Sequence, residues 1–222
     1  MATKKLQKEE TLTAEQKMIG NVSDFFVKNR VLLLVITAVV VVGIIAAIIA
    51  VSASNKAKAN AQIRIADLEQ RYAEMLIEEN PDWAGLSADL DAMIKGATYP
   101  SVKAAYIKGL VLHEQKDYAG AQAAFEQAYN LNPKIYIAPL ALVNAASCAE
   151  EQGNTAKALE LYNLVASDYA ESGAAPKALF NVARIYYQQG NTQLAQASFA
   201  QVASYYPNSE YGKLAKNLAT VL

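Results

Sequence analysis

Few side chains in this sequence could take part in catalysis or bind a metal ion. The 222 residues include one histidine, His113, and one cysteine, Cys148. A metal centre or a nucleophile–base relay needs several such groups together, so within one chain neither residue has a partner of the required kind. Cys148 stands among alanines in a helical pattern, which favours a small buried hydrophobic side chain over a reactive thiol.

The acidic pairs Glu78-Glu79 and Glu150-Glu151 do not indicate an acid–base site. Adjacent helical positions point in different directions, so we expect these carboxylates on solvated helix ends. The ten glycines are scattered and form no phosphate-binding loop. We therefore predict no enzymatic activity and no cofactor. The net charge of −1 gives no electrostatic reason to expect a nucleic-acid partner.

One apolar segment contributes heavily to the hydrophobic fraction of 53%. Residues 31–51 carry no charge, and Thr37 is their only polar side chain. A helix of about 20 apolar residues is long enough to cross a bilayer. The sequence therefore predicts a transmembrane helix over 31–51, with the lipid bilayer as its partner. The alternative is a signal peptide cleaved after Ala53, although the apolar run is longer than such peptides usually have.

The charged residues are distributed unevenly about this segment. Residues 1–30 hold six basic and four acidic side chains, a net charge of +2, whereas residues 52–222 hold 14 basic and 17 acidic side chains, a net charge of −3. Basic residues favour the cytoplasmic side of a membrane. We expect 1–30 to be a short cytoplasmic tail and 55–222 to be a domain on the other side. In a Gram-negative-type bacterium that side of the inner membrane is the periplasm.

The sequence of residues 55–222 repeats with a period of 37 residues. Small and aromatic side chains recur at fixed positions in each unit. The recurring sets are Ala121, Ala158 and Ala195; Phe125, Tyr162 and Phe199; and Ala128, Val165 and Val202. Spacings of three and four residues place these side chains on one face of a helix. The pattern predicts an all-α array of helix pairs, with alanine at the closest helix crossing and the aromatic ring in the wider gap beside it.

The predicted helices are separated by turns that contain glycine, asparagine or proline. The first helix covers about 55–79 and could continue from the membrane segment. The others cover 83–95, 100–115, 118–131, 138–152, 155–168, 175–189, 192–206 and 209–221. The last begins at Ser209 as N-cap and carries an apolar stripe, so we expect it to cap the array. The fold class predicted is a transmembrane helix followed by about four helix pairs and a C-terminal capping helix.

The residues of the second unit match a known repeat pattern. Gly109, Ala121, Phe125, Ala128 and Pro133 stand at the spacings of the tetratricopeptide repeat, which residues 65–209 resemble as a whole. The period of 37 exceeds the 34 residues of that pattern. The extra residues fall after the proline position, where they would lengthen either the second helix or its turn.

The resemblance to tetratricopeptide repeats implies a partner-binding groove lined by the first helix of each pair. The residues carried over onto the groove positions are Lys103, Tyr106, Leu110, His113, Val143, Ser147, Lys177, Phe180, Arg184 and Tyr187. The Lys and Asn side chains with which some members clamp a C-terminal carboxylate are mostly replaced here, so we expect an amphipathic helix or an extended apolar segment as ligand. The alternative is that the C-terminal helix, or a second protomer in a homo-oligomer, fills the groove.

The arrangement of a short tail, one span and a repeat domain resembles the ancillary SecYEG translocon subunit family. The segment Phe25-Phe26-Val27-Lys28-Asn29-Arg30 is similar to the membrane entry of that family. The resemblance implies a tethered scaffold that has translocon subunits or periplasmic chaperones as partners. Two alternatives remain: an envelope-assembly or division protein, suggested by Tyr206-Pro207-Asn208-Ser209, and a structural component of a flagellar or secretion collar.

Overall fold

The computed structural model describes residues 14–221, with side chains from residue 18 onward. All regular secondary structure in that range is helical, which confirms the predicted all-α class. The helices are α1 (Ala14–Lys28), α2 (Arg30–Met75), α3 (Trp83–Met93), α4 (Tyr99–Glu114), α5 (Tyr118–Leu131), α6 (Ile137–Glu151), α7 (Thr155–Asp168), α8 (Ala175–Gln188), α9 (Thr192–Tyr205) and α10 (Glu210–Val221). Internal contacts divide the chain between Lys58 and Ala59 into two units, which are described separately.

The N-terminal unit contains α1 and the apolar part of α2. Helix α2 is long and apolar enough to cross a membrane. Its most apolar 18-residue window has a mean hydropathy of 3.3 and is 0% buried. A core helix of a soluble domain would bury much of this surface, so the segment is not part of a core formed by the described residues.

The C-terminal end of α2 belongs to the repeat domain. It packs against α3, and the shared core contains Ile65 and Leu68 of α2 with Leu86 and Leu90 of α3. We expected this helix to continue to residue 79, but it ends at Met75. The amide of Leu76 still bonds four residues back, whereas those of Ile77 and Glu78 bond three residues back, as in the tightened last turn of a helix, before the chain reaches Pro81.

The helix pairs α4–α5, α6–α7 and α8–α9 follow the predicted boundaries to within about one residue. Helices α5, α7 and α9 have 14 residues each. The extra length of the 37-residue period therefore lies in the turns between units, at 132–136 and 169–174, and the second helix is not lengthened.

Alanine occupies the closest helix crossings, as the repeat pattern predicts. Ala121, Ala158 and Ala195 are all 0% exposed. The approach is also close in the second unit, where a Cβ atom placed on Gly109 would lie 2.6 Å from the Phe125 ring. The small side chains thus allow the two helices of a pair to approach, and the aromatic rings fill the space that remains.

The first helices of successive units lie close together. Helix α4 contacts α6, α6 contacts α8, and α8 contacts α10, whereas α5, α7 and α9 make no comparable contacts with one another in the described part of the chain. An array whose first helices are closer together than its second helices curves with the first helices on its concave side. Helix α10 takes the position of a further first helix and covers the end of the array.

Candidate functional site

The candidate site is the surface formed by α4, α6 and α8. Among the predicted groove residues, His113, Lys177 and Tyr187 are exposed on it. Two further apolar side chains of this surface are accessible, since Tyr136 is 65% exposed and Leu140 is 41% exposed. A partner could reach these side chains without any rearrangement of the repeats.

An aromatic pair joins the start of α4 to the start of α6. The rings of Tyr99 and Tyr136 stack with their centroids 6.1 Å apart, and their hydroxyl oxygens are 3.2 Å apart. We define the aromatic patch as Tyr99, Lys103, Tyr136 and Leu140. The two tyrosines were not among the groove residues predicted from the sequence. Their separation of 37 residues is the repeat period, and that spacing could have revealed them.

Lys103, a predicted groove residue, is tied to the first unit. Its Nζ donates to a Glu69 carboxylate oxygen at 2.6 Å and lies 5.7 Å from the centroid of the Tyr99 ring. Burial disfavours the charged amine, but the hydrogen bonds with Glu69 and Tyr99 outweigh this effect and raise the pKa of Lys103. The amine therefore stays protonated, and its charge is balanced by the Glu69 carboxylate, which joins α4 to α2.

Three of the predicted groove residues meet at a small recess between α4, α5 and α6. Leu110, His113 and Ser147 line a recess of about 90 Å³, together with Phe125 and Asn144. This volume is enough for a few water molecules or a small apolar side chain of a ligand. The recess gives the surface one concave feature at its centre.

Of the predicted groove residues Tyr106 and Val143, the first is partly accessible and the second is buried. The Tyr106 hydroxyl accepts a hydrogen bond from Asn144 Nδ2 at 2.9 Å, and its ring lies 5.5 Å from that of Phe125. Burial raises the pKa of Tyr106, so its hydroxyl remains neutral. Val143 is only 2% exposed and belongs to the core. We therefore keep Tyr106 at the edge of the candidate site and leave Val143 out of it.

Arg184 connects two units and does not stand free in the groove. Its Nη2 donates to both carboxylate oxygens of Glu150, at 2.7 and 2.6 Å. The hydroxyl of Tyr162 donates to the same carboxylate at 2.8 Å. Burial and the Glu150 charge both raise the pKa of Tyr162, which keeps this donor protonated. The guanidinium is thus used to join α6 to α8.

The C-terminal helix α10 covers the part of the surface that belongs to the fourth repeat unit. The Phe180 ring lies 5.2 Å from the ring of Phe199 and 5.4 Å from that of Tyr211, centroid to centroid. Tyr211 belongs to α10, so α10 covers the position at which we expected Phe180 to meet a ligand. The accessible part of the surface is therefore its aromatic patch and recess, together with the exposed end of α8.

No group of three or more His, Cys, Asp or Glu side chains within the described residues could hold a metal ion. Cys148 is 0% exposed, and burial raises the pKa of its thiol to about 11. The raised pKa disfavours the thiolate, which is the reactive form of a cysteine, at neutral pH.

The fold and surface define a class of protein, the helical repeat arrays that present a concave surface to other proteins. Within that class, two family models of the tetratricopeptide repeat match the chain, over residues 112–179 and 177–209. The chain thus carries tetratricopeptide repeats, which generally bind protein partners and are generally not enzymes.

A solved structure has the same fold. It is a crystal structure of a variant of a putative kinesin light chain from Podospora anserina, with nearly identical TPR-like repeats. The TM-score is 0.55 at 13% sequence identity, and the alignment covers 71% of this chain and 85% of that one. At this identity the similarity concerns the fold alone. No curated protein matches the chain.

Proposed function

We propose that the protein is a membrane-anchored scaffold that binds other proteins through its repeat domain. The observation that carries this proposal is the aromatic patch, because Tyr136 and Leu140 leave apolar surface exposed on the first helices of a repeat array. Exposed aromatic side chains are typical of protein-binding surfaces. A segment with apolar side chains would complement the aromatic patch.

The anchor is residues 31–51 within α2. The exposed apolar surface of this segment supports this part of the proposal. Lys28 and Arg30, which immediately precede it, together with the net +2 of residues 1–30, favour a cytoplasmic tail, with the repeat domain at the periplasmic face of the inner membrane. There the scaffold would link translocon subunits to periplasmic chaperones, a role that rests on the arrangement of tail, span and repeats.

Membrane fractionation tests the anchor. The full chain should remain in the membrane pellet after alkaline carbonate extraction, and its intact mass should include residues 1–53. Protease added to spheroplasts should degrade the repeat domain if that domain is periplasmic. Recovery in the soluble fraction, or loss of residues 1–53, contradicts the anchor, and protection from protease contradicts the orientation.

A matched pair of double variants tests the aromatic patch. Tyr136→Ser with Leu140→Ser removes its exposed apolar side chains. Leu194→Ser with Tyr205→Ser removes the same residue types from the exposed surface of α9, where Leu194 is 53% exposed and Tyr205 is 64% exposed. The first pair should lower the amount of partner protein that co-purifies from membranes by about tenfold, and the second pair should leave it unchanged. Equal recovery with both pairs contradicts the proposed surface.

The identity of the recovered proteins decides between the two roles open to a scaffold. Translocon subunits, chaperones or translocating chains in substoichiometric amounts support the transient role. A single partner at fixed stoichiometry supports a structural component of an envelope machine, such as a flagellar or secretion collar.

A further inference from the structure

Helix α1 carries an exposed apolar stripe between Met18 and Phe26. Six of its described side chains are apolar and between 51% and 68% exposed. Five of them form the stripe: Met18, Ile19, Val22, Phe25 and Phe26. Their spacing of three and four residues places them on one face, about a third of the helix circumference. Such a one-sided stripe differs from the uniformly apolar surface of residues 31–51.

The other face of α1 is mostly polar. Asn21, Ser23 and Asp24 lie there, and Val27 is the exception. A helix with one apolar and one polar face is suited to a boundary between water and an apolar medium. It is not suited to the hydrocarbon core, where Asp24 would be costly to bury.

The stripe runs directly into the proposed membrane span. The backbone N–H of Asn29 donates to the Phe25 carbonyl at 3.0 Å, and that of Leu33 donates to the Asn29 carbonyl at 2.9 Å. Asn29 also donates from its side chain to the Phe25 carbonyl at 2.8 Å. The apolar side chains of α1 therefore end within one helical turn of the apolar surface that begins at Val31.

Charge and aromatic content at this junction agree with a phospholipid surface. Lys28 and Arg30 stand where the stripe meets the span, at the level expected for anionic headgroups. Phe25 and Phe26 pack edge to face, with centroids 6.0 Å apart. Aromatic rings on the apolar face of a basic-flanked helix are typical of helices that bind at the lipid interface.

We propose that in the membrane the chain bends at Asn29, the one residue between α1 and α2, and that α1 lies along the cytoplasmic surface of the bilayer, with its stripe between the phospholipid headgroups and the acyl chains. This inference rests on the proposed anchor. It assigns the short tail a second contact with lipid, in addition to the span.

Depth-dependent quenching tests this placement in the full chain. Single cysteines carrying an environment-sensitive fluorophore are placed at Val22 on the stripe, at Asp24 on the polar face and at Val40 in the span, each in a Cys148→Ala background. The protein is reconstituted into vesicles of phosphatidylglycerol and phosphatidylcholine that contain bromine on the acyl chains. Quenching at Val22 should exceed that at Asp24 by about threefold or more, because only the stripe is in contact with lipid.

The three positions separate failure of the anchor from failure of the inference. An unquenched label at Val40 contradicts the anchor itself. Quenching at Val40 with equal quenching at Val22 and Asp24 overturns the interfacial placement of α1. An unquenched Val22 label also overturns it if the unlabelled Val22→Cys protein forms a disulfide-linked dimer, since the stripe is then a protein interface.

Discussion

At the scale of single residues, the side chains whose types are most reactive pack in the core or connect the repeat units. Cys148 is buried among small side chains. Glu150 is held by Arg184 and by the hydroxyl of Tyr162. These charge-assisted hydrogen bonds fix the carboxylate of α6 to side chains of α7 and α8. The reactive residue types are therefore used to join the units of the array.

The first prediction concerns the thiol of Cys148. Burial, with a smaller contribution from the Glu151 charge, raises its pKa to about 11. Because the folded-state pKa lies above that of an exposed thiol, the group stays protonated as the pH rises through 8 and 9, and burial also hinders access. We expect the folded protein to react with a disulfide reagent at least about a hundredfold more slowly than the unfolded protein at pH 8. Rapid labelling of the native protein would contradict the buried placement.

The second prediction concerns the helix crossing at Ala158. A leucine at this buried position should destabilise the protein by about 1–3 kcal/mol, because the two helices cannot separate without losing other contacts. Ala156 lies on the exposed face of the same helix, so Ala156→Leu is the matched control and should change stability by less than about 0.5 kcal/mol. Urea unfolding of both variants measures the difference, and equal stabilities would refute the register.

At the scale of helices and turns, a row of hydrogen bonds ties the turns between units to one another. Each bond runs from a side chain at the end of a helix pair to a carbonyl in the turn that precedes the same pair. Asn132 donates to Ala97 at 3.2 Å, Tyr169 to Pro133 at 2.7 Å, and Tyr206 to Ala170 at 3.0 Å. The donors recur at the repeat period, so the turns that lengthen each unit also fix the position of the next one.

The third prediction tests one of these bonds. Tyr206→Phe removes the hydroxyl and should lower the free energy of unfolding by about 0.5–1.5 kcal/mol. The neighbouring Tyr205 is 64% exposed, and Tyr205→Phe should leave stability unchanged to within about 0.5 kcal/mol. Chemical denaturation measures both variants. A loss of stability in Tyr205→Phe as large as that in Tyr206→Phe would show that the hydroxyl bond contributes nothing specific.

The fourth prediction concerns the turns within the pairs. Lys116 has a φ of 62°, whereas the equivalent Gly153 and Gly190 have φ values of 74° and 76°. A residue with a side chain is strained in this left-handed conformation. Lys116→Gly should stabilise the protein by up to about 1 kcal/mol, and Gly153→Ala should destabilise it by about 1 kcal/mol. Thermal unfolding of the two variants should show shifts of opposite sign, and shifts of the same sign would contradict this interpretation.

At the scale of the whole molecule, the sequence predicts the helices well and the accessible surface poorly. Helix boundaries follow from local turn residues, and the core follows from the recurrence of alanine and aromatic side chains every 37 residues. The contact of Phe180 with Tyr211 and the pairing of Arg184 with Glu150 depend on contacts between units. Such contacts cannot be inferred from periodicity within a unit. The groove residues assigned from the repeat pattern therefore include side chains that are already bound to other parts of the chain.

The most direct test of the tethered scaffold is crosslinking in intact cells from the centre of the aromatic patch. A photoreactive amino acid is placed at Leu140, which is 41% exposed, or at Ala156 on α7 as control, in the full membrane-bound chain. We predict protein crosslinks from Leu140 that are at least about tenfold stronger than those from Ala156. Absence of crosslinks from Leu140, or equal crosslinking from the two positions, would contradict the account.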